Sequence, residues 1–313
     1  MRTCNVTKAV RDAAAALAAR TAELSFEKPV AYVYHPLSYA WSAHEQYILR
    51  YAADSVDVLF VGMNPGPWGM AQTGIPFGEV QTVRGWLDIN ASVGRPEREH
   101  PRRPVSGLAV NRSEVSGARL WGLFRRRFVT PQRFFVSNFV ANYCPLLFLE
   151  ETGRNRTPDK LRAPEREALF AACDEHLRRL VEAFAPSWVI GIGGFAEKRI
   201  RAALHALGGP SAPDAAGAGV DAAGPGADAA GAGADAAGPE ADAAGAGTIG
   251  TGRPADAVRP AGADLVPAEK RAAAPRVARV LHPSPASPKA NRGWAEEAEA
   301  TLVELGVWSD LPR

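Results

Sequence analysis

Three side chains that can bind a small polar ligand come directly after apolar stretches of the chain. Asn64 lies in the segment GMNPGP, Asn142 precedes Tyr-Cys-Pro, and His282 begins the segment HPSP. An asparagine amide has two N–H donors and a carbonyl acceptor, and a neutral imidazole has one donor and one acceptor. Such groups, held among stiff Gly/Pro loops, are suited to binding the polar edge of a small planar molecule.

Four short apolar runs predict buried strands of a parallel sheet, because they are rich in Val, Ile, Leu or Phe without clean alternation. They are 57–62, 133–140, 187–192 and 276–281. Apolar spacing near 3.6 predicts helices at 80–89, 117–128, 164–184, 196–207 and 291–305. Strands alternating with helices predict an α/β protein, a three-layer α/β/α fold with a central four-stranded parallel sheet. Ligands of such sheets bind beyond the carboxyl ends of the strands, so Asn64, Asn142 and His282 are expected to converge there.

Composition divides the chain into three parts. Residues 1–25 form an Ala-rich N-terminal extension, in which 1–23 predict an exposed amphipathic helix rather than a signal peptide. Residues 207–275 carry a seven-residue repeat that starts at Asp214, with units such as DAAGAGV and DAAGPGA. Each unit contains Gly or Pro and no large apolar seam, so a disordered insertion is predicted rather than a coiled coil. The domain itself is expected to comprise 26–206 and 276–313.

Cysteine count and charge narrow the class of protein. The three cysteines are an odd, widely spaced set, which is neither a disulfide framework nor a metal site. We expect no metal and no organic cofactor, and a reducing cytoplasm is the simplest location. No apolar run of about 18 residues predicts a membrane-spanning helix. The 207–275 segment holds nine acidic and four basic residues, so a net charge of +2 leaves +7 elsewhere, which suits a polyanionic partner.

Four motifs in order carry a resemblance to a known family. They are GMNPGPWGMAQTGIPFGEVQTVRGWL at 62–87, EVSGARLWG at 114–122, NYCPLLFL at 142–149 and HPSP at 282–285. Together they closely resemble the single-strand-selective monofunctional uracil-DNA glycosylases, a branch of the uracil-DNA glycosylase superfamily. The resemblance implies a monomeric DNA-repair enzyme that removes uracil, and 5-hydroxymethyluracil-type bases, from single- and double-stranded DNA. It also implies association with the nucleoid if the chain is bacterial.

The resemblance implies a role for each site residue. Asn64 matches the amide that orients the attacking water, and His282 matches the histidine that donates to uracil O2. Asn142 matches the amide that reads the base edge, and Phe77 matches the aromatic ring on which the flipped base stacks. The rest of the pocket is expected to be backbone near two further residues, Met63 and Gly66.

A DNA-contacting loop follows the matched histidine. The family inserts a wedge there, with an arginine directly after HPSP, whereas this chain has Ala286. Lys289 and Arg292 are close enough in sequence to contact phosphate instead. The residues expected to contact DNA are thus Pro283, Ser284, Pro285, Lys289 and Arg292. Because the wedge arginine is missing, we expect weaker action on duplexes and a greater preference for single strands.

Two other functions remain open from the sequence. A lesion-binding module without catalysis would not need a water-positioning amide such as Asn64. A mismatch-specific thymine/uracil glycosylase also has an Asn in its first motif but lacks the MAQTG–PFGE continuation. Iron–sulfur glycosylases are excluded by the cysteine count, and the glycine spacing at 191–194 does not fit a dinucleotide-binding loop. Taken one at a time, Asn64 is interpreted as a turn residue, His282 as a structural histidine and Phe77 as a core residue. The arginine clusters at 102–103 and 125–127 are interpreted as solvated faces, with non-specific phosphate affinity as the alternative.

Overall fold

Seven strands occur in the computed structural model, which describes residues 3–54, 56–205 and 274–309. They are β1 (Tyr32–Tyr34), β2 (Val58–Gly62), β3 (Asn138–Asn142), β4 (Leu147–Leu149), β5 (Asn155–Arg156), β6 (Trp188–Ile192) and β7 (Arg276–Val280). Four of them form an all-parallel sheet in the order β3-β2-β6-β7. The other three form a small antiparallel sheet in the order β1-β4-β5.

Ten α-helices surround these strands in the described residues. They are α1 (Thr3–Ala22), α2 (Pro36–Tyr39), α3 (Trp41–Tyr51), α4 (Met70–Thr73), α5 (Val80–Gly85), α6 (Val115–Phe128), α7 (Pro131–Phe135), α8 (Ala163–Phe184), α9 (Gly194–His205) and α10 (Trp294–Glu304). No described helix combines the length and the apolarity needed to span a membrane.

Helices cover both faces of the parallel sheet. Phe60 of β2 contacts Phe124 of α6, with ring centroids 5.1 Å apart. Phe139 of β3 pairs with the residue before Phe60, so it points to the opposite face, where it contacts Phe184 of α8 and Tyr47 of α3. The predicted three-layer α/β/α fold with a four-stranded parallel sheet is therefore confirmed.

The predicted second strand is wrong in its first half. Residues 133–135 belong to helix α7, which begins after Thr130, whose hydroxyl accepts a hydrogen bond from the Arg133 N–H, and has Pro131 at its first position. Phe134 and Phe135 are buried in the core, so their apolar character suits a helix as well as a strand. The strand itself is Asn138–Asn142, and Asn142 is its last residue.

The N-terminal helix forms as predicted, but it is not simply exposed. Val10, Ala14 and Leu17 lie on one face of α1 and are at most 3% exposed. They belong to the same apolar core as Leu177 and Leu180 of α8. Burial of this face is worth roughly 25 cal/mol per Å² of apolar surface, which fixes the helix against the domain. The insertion predicted at 207–275 lies outside the described residues, apart from residues 274 and 275.

Candidate active site

The ends of β2 and β3 lie side by side and continue together beyond the sheet. Gly62 and Asn142 are register partners. Past them, the Tyr143 N–H donates to the Gly62 carbonyl at 2.9 Å, and the Cys144 N–H donates to the Met63 carbonyl at 2.8 Å. The two loops that carry the matched asparagines are thus held together by backbone hydrogen bonds.

A cavity of about 900 Å³ opens at this edge of the sheet. The residues predicted for the site that line it are Met63, Asn64, Gly66, Phe77, Asn142, His282, Ser284 and Pro285. Three predicted DNA-contacting residues do not line it: Pro283, Lys289 and Arg292. The convergence at the carboxyl ends of the strands, expected from the fold, is present.

Asn64 is held in one orientation. Its side-chain Nδ2 donates to the Leu146 carbonyl at 3.2 Å, so the amide nitrogen is already used. The same carbonyl lies in the segment after β3, whose Cys144 thiol also contacts Leu146. The carbonyl oxygen of Asn64 is the part of the amide left to accept a hydrogen bond from a water or a ligand.

Asn142 presents a buried acceptor without a partner. Asn142 is only 9% exposed, and its side-chain Nδ2 lies 3.2 Å from the Met70 sulfur. Its Oδ1 makes no hydrogen bond with any described residue. A buried carbonyl oxygen without a donor costs about 1–3 kcal/mol. Because the oxygen is in a residue that lines the cavity, an N–H group on a ligand removes that cost.

Phe77 occupies strained backbone beside the histidine. Its φ is +53°, in the left-handed region that is unfavourable for residues other than glycine. Trp121 Nε1 and the Glu79 N–H both donate to its carbonyl oxygen, at 3.1 and 2.7 Å, which holds the peptide in place. Its ring centroid lies 6.1 Å from that of His282. The strain is kept by a buried hydrogen-bond network that fixes an aromatic ring in the cavity.

His282 is a neutral imidazole at pH 7. Desolvation lowers its pKa to about 4, and its ring has no hydrogen-bond partner among the described residues. Gly193 makes room for it, because a Cβ atom there would lie 3.1 Å from the His282 Cβ, and the φ of +92° favours glycine. The side chain therefore offers a neutral N–H donor.

Comparisons with known proteins identify the family. The sequence profile of the Uracil DNA glycosylase superfamily matches residues 49–302. The chain belongs to the uracil-DNA glycosylase superfamily. It is 47% identical to the single-strand selective monofunctional uracil DNA glycosylase of Mus musculus, over 93% of this chain and 81% of that protein. It is 41% identical to the corresponding protein of Rattus norvegicus, over 93% of this chain and 82% of that one.

One solved structure adds nothing to this assignment. The crystal structure of WT Pedobacter heparinus SMUG2 is 16% identical, covering 61% of this chain and 81% of that chain, with a TM-score of 0.44. The family and the predicted enzyme class, a uracil-DNA glycosylase that hydrolyses N-glycosyl bonds, are confirmed by the profile and the curated relatives. The roles of the individual site residues stay predictions.

Two residues of this glycosylase site were missed by sequence reasoning. Arg119 of α6 donates to the carbonyls of Pro283 and Ser284 at 3.2 and 3.3 Å and to Asn291 Oδ1 at 2.8 Å. It therefore holds the loop after His282 against α6. Nothing in the spacing of an arginine inside a helix indicates such a partner more than 160 positions away.

Glu114 is the second missed residue. Its carboxylate accepts from the Gly117 N–H at the start of α6, and it lines the cavity opposite Gly66. Desolvation raises its pKa, and the hydrogen bonds from Gly117 and Ser116 lower it in part. An acid directly before a helix is the available sequence signal, since such residues cap helix N-termini.

The predicted DNA contacts of the glycosylase remain predictions, and the structure shows where they lie. Lys289 Nζ is 2.9 Å from a Glu297 carboxylate oxygen, so its charge is paired within the chain. Arg292 is exposed in a short turn before α10. Among the described residues no group of three or more His, Cys, Asp or Glu side chains is arranged to hold a metal ion.

Proposed function

We propose that this chain hydrolyses the N-glycosidic bond between uracil and deoxyribose in single-stranded DNA, which is the first step of base-excision repair. The supporting observation is the buried, partnerless Oδ1 of Asn142 in a cavity that also contains Asn64, Phe77 and His282. The curated relatives carry the words single-strand selective and monofunctional in their names. A monofunctional enzyme removes the base and leaves the DNA backbone unbroken.

Asn142 reads the base edge in this proposal. Its Oδ1 accepts a hydrogen bond from uracil N3–H, and the second hydrogen of its Nδ2 donates to uracil O4. Cytosine has an acceptor at position 3 and a donor at position 4. In the same position it would place its acceptor against Oδ1 and its donor against Nδ2, so neither hydrogen bond could form. The contact between Nδ2 and the Met70 sulfur favours the orientation that suits uracil. Phe77 stacks on the face of the flipped base, a contact worth roughly 1–3 kcal/mol in single-strand binders.

Bond cleavage then proceeds with water as the only other reactant. The bond between C1′ and N1 breaks with its electron pair going to the base, and the sugar gains positive charge. His282 donates a hydrogen bond to uracil O2, where negative charge develops, and stays neutral throughout. The Asn64 carbonyl accepts a hydrogen bond from a water whose oxygen bonds to C1′. That water gives up one proton, and the departing uracil anion takes up one from solvent.

Strand preference and base range extend this proposal. The loop after His282 places Ser284, Pro285 and Ala286 at the cavity, and none of these has a long side chain to fill a gap in a duplex. We therefore expect slower release of uracil from duplexes than from single strands, with Ala286→Arg raising the duplex rate. Faster cleavage of duplex DNA by the wild type contradicts this. Release of 5-hydroxymethyluracil is expected too, because the cavity of about 900 Å³ exceeds the needs of uracil alone.

The deciding experiment measures strand scission after alkali, using a labelled single-stranded oligonucleotide with one uracil. Wild type is expected to release the base, and Asn64→Ala is expected to be slower by about 100-fold, the cost of a misplaced reactant. Asn111→Ala is the matched control, because Asn111 is exposed and does not line the cavity. A folded wild type that binds the oligonucleotide without cutting it supports a damage-binding module instead. Release of thymine from a G·T mismatch supports the mismatch-specific class.

The remaining expectations are a monomeric enzyme in the cytoplasm that needs no cofactor. Light scattering of the purified protein tests the first of these. Activity in the presence of a strong chelator tests the last.

A further inference from the structure

The cavity extends well beyond the four residues that handle the base. Its far side is lined by Arg102, Arg103, Thr152, Arg154 and Thr157. Pockets that enclose a whole drug-sized ligand are about 300–1,000 Å³, and this cavity is about 900 Å³. A single flipped base leaves most of it open, so the far side has room for the sugar-phosphate chain next to that base.

Three guanidinium groups lie near one another here. Arg102 and Arg103 line the cavity, and Arg112 lies beside them over the ring of Trp68. None of the three forms an ion pair with any described residue. Desolvation lowers the pKa of Arg103, and the positive charges of Arg112 and Arg102 lower it further. Arginine stays protonated in proteins, so these charges repel one another in the free protein. An anion placed among them relieves that repulsion.

Two of the three arginines are held in place before any ligand binds. Arg103 and Arg112 lie over the ring of Trp68, at 5.5 and 4.8 Å from its centroid. Arg103 Nε also donates to the Gly153 carbonyl at 3.1 Å. Trp68 is four residues after Asn64, so one loop carries both the water-binding amide and the ring that holds the arginines. Ordered guanidinium groups lose little side-chain entropy when they bind a phosphate.

His100 fastens the turn that carries two of these arginines. It is 3% exposed, accepts from the Arg102 N–H at Nδ1 (3.0 Å), and has Nε2 2.9 Å from the Glu151 carbonyl. The turn at 100–103 is thereby tied to the turn at 150–153. This arrangement explains a buried histidine that has no part in the base pocket.

We propose that Arg102, Arg103 and Arg112 form a phosphate-binding site for the DNA strand that carries the target base. The strand then crosses the cavity from this arginine cluster to the loop at 283–286. The proposal rests on the proposed function for its ligand, a single DNA strand. Phosphate is the matching group, because a guanidinium group binds phosphate through two parallel hydrogen bonds.

The first test measures binding of a uracil-free single strand as a function of salt, so it does not depend on catalysis. Each lost phosphate contact lowers the slope of log K against log salt by about 0.7 for a single strand. Arg103→Gln/Arg112→Gln is therefore expected to lower the slope by about 1.4 and to weaken binding by about tenfold or more. Arg103→Lys/Arg112→Lys keeps both charges and is expected to retain most of the slope.

Arg20→Gln/Arg133→Gln is the matched control. Both arginines are exposed and outside the cavity, and Arg133 lies before β3, at the opposite edge of the sheet from the pocket. Thermal unfolding is measured for every variant to check that the variant is folded. An unchanged slope in the Arg103/Arg112 glutamine pair, or an equal loss in the control pair, overturns the proposal.

The second test replaces single phosphates of a uracil-containing strand with uncharged methylphosphonates. One or two positions on one side of the uracil are expected to slow the wild-type enzyme under single-turnover conditions, and to have no further effect in the glutamine pair. Equal effects in both proteins overturn the proposal. A wild-type protein that cleaves no uracil-containing strand counts against the proposed function. The salt dependence of DNA binding still tests the arginine site in that case.

Discussion

Gly62 and Asn142 are neighbours across two parallel strands, and a methyl group on Gly62 would overlap both the side-chain Oδ1 of Asn142 and the Phe77 ring. Because Gly62 has no side chain, the Asn142 amide and the Phe77 ring can occupy the space beside it. Geometry at the floor of the pocket depends on this glycine, although it has no functional group of its own.

Gly62→Ala is expected to reduce kcat/KM by about 100-fold, because displacing a positioned group by about an ångström has a cost of that order. The protein is expected to fold, with some loss of stability from the overlap. Rates of uracil release and the midpoint of urea unfolding check both effects. Gly122→Ala is the control, because its Cβ would meet nothing within 4 Å in the exposed face of α6. That variant keeps full activity and gains roughly 0.5–1 kcal/mol of stability. Equal activity in the two variants contradicts the role of Gly62.

His282→Ala is expected to lower kcat by about 100- to 1,000-fold, the cost of losing one donor aimed at a developing negative charge. The wild-type rate is expected to stay level as the pH falls from 8 through 6.5 to 5. The reason is that desolvation already lowers the pKa of His282 to about 4, so the donor is neutral over that range. A rate–pH profile with a step near 6.5 that disappears in the variant indicates a charged histidine instead.

Arg119→Gln is expected to lower kcat/KM by about tenfold without abolishing base release, because Asn64 is still present to position the water. The guanidinium holds the carbonyls of Pro283 and Ser284, and glutamine cannot span the same three acceptors. Hydrogen exchange of the backbone amides of Ser284, Ala286 and Ser287 is expected to speed up in this variant. Arg125→Gln, an exposed position on the same helix, serves as the control. Unchanged exchange together with reduced activity means that Arg119 acts on the ligand rather than on the loop.

Acid is expected to destabilise the protein between pH 6.5 and 4. Desolvation lowers the pKa of His44, His176 and His282 from 6.5 to about 4. In that window the unfolded chain binds protons that the folded chain does not, so the free energy of unfolding falls as the pH falls. Three such groups give a slope of about 4 kcal/mol per pH unit at most.

Urea unfolding at several pH values measures this slope. His176→Gln is expected to remove about a third of it. His205→Gln, at an exposed position, leaves it unchanged. A free energy of unfolding that is constant from pH 6.5 to 5 shows that these histidines titrate normally.

The parallel sheet was predictable because its strands are short, apolar and separated by helical patterns. The error at 133–140 has a local cause, since Phe134 and Phe135 face the core from a helix and periodicity cannot tell a short buried helix from a strand. Thr130 followed by Pro131 was the signal for that helix. The antiparallel sheet was missed because its strands have only two or three residues.

The site was predictable as far as it consists of strand ends. Asn64 and His282 each follow a strand and Asn142 is the last residue of one, and parallel strands bring such positions together. The contacts of Arg119 and His100 could not be predicted, because they join segments that no periodicity relates. Trp68 had no visible purpose in the sequence, and its contact with two arginines depends on how the 100–112 segment folds back.

The chain leaves the described domain after His205 at the end of α9 and returns just before Arg276 at the start of β7. Both points are at the amino end of the outer strand, whereas His282 follows its carboxyl end. Five residues of strand span about 17 Å, so the start of β7 lies about that far from the residues that lead into His282. The position of His282 is therefore set by the pairing of β7 with β6, whatever length of chain joins α9 to β7.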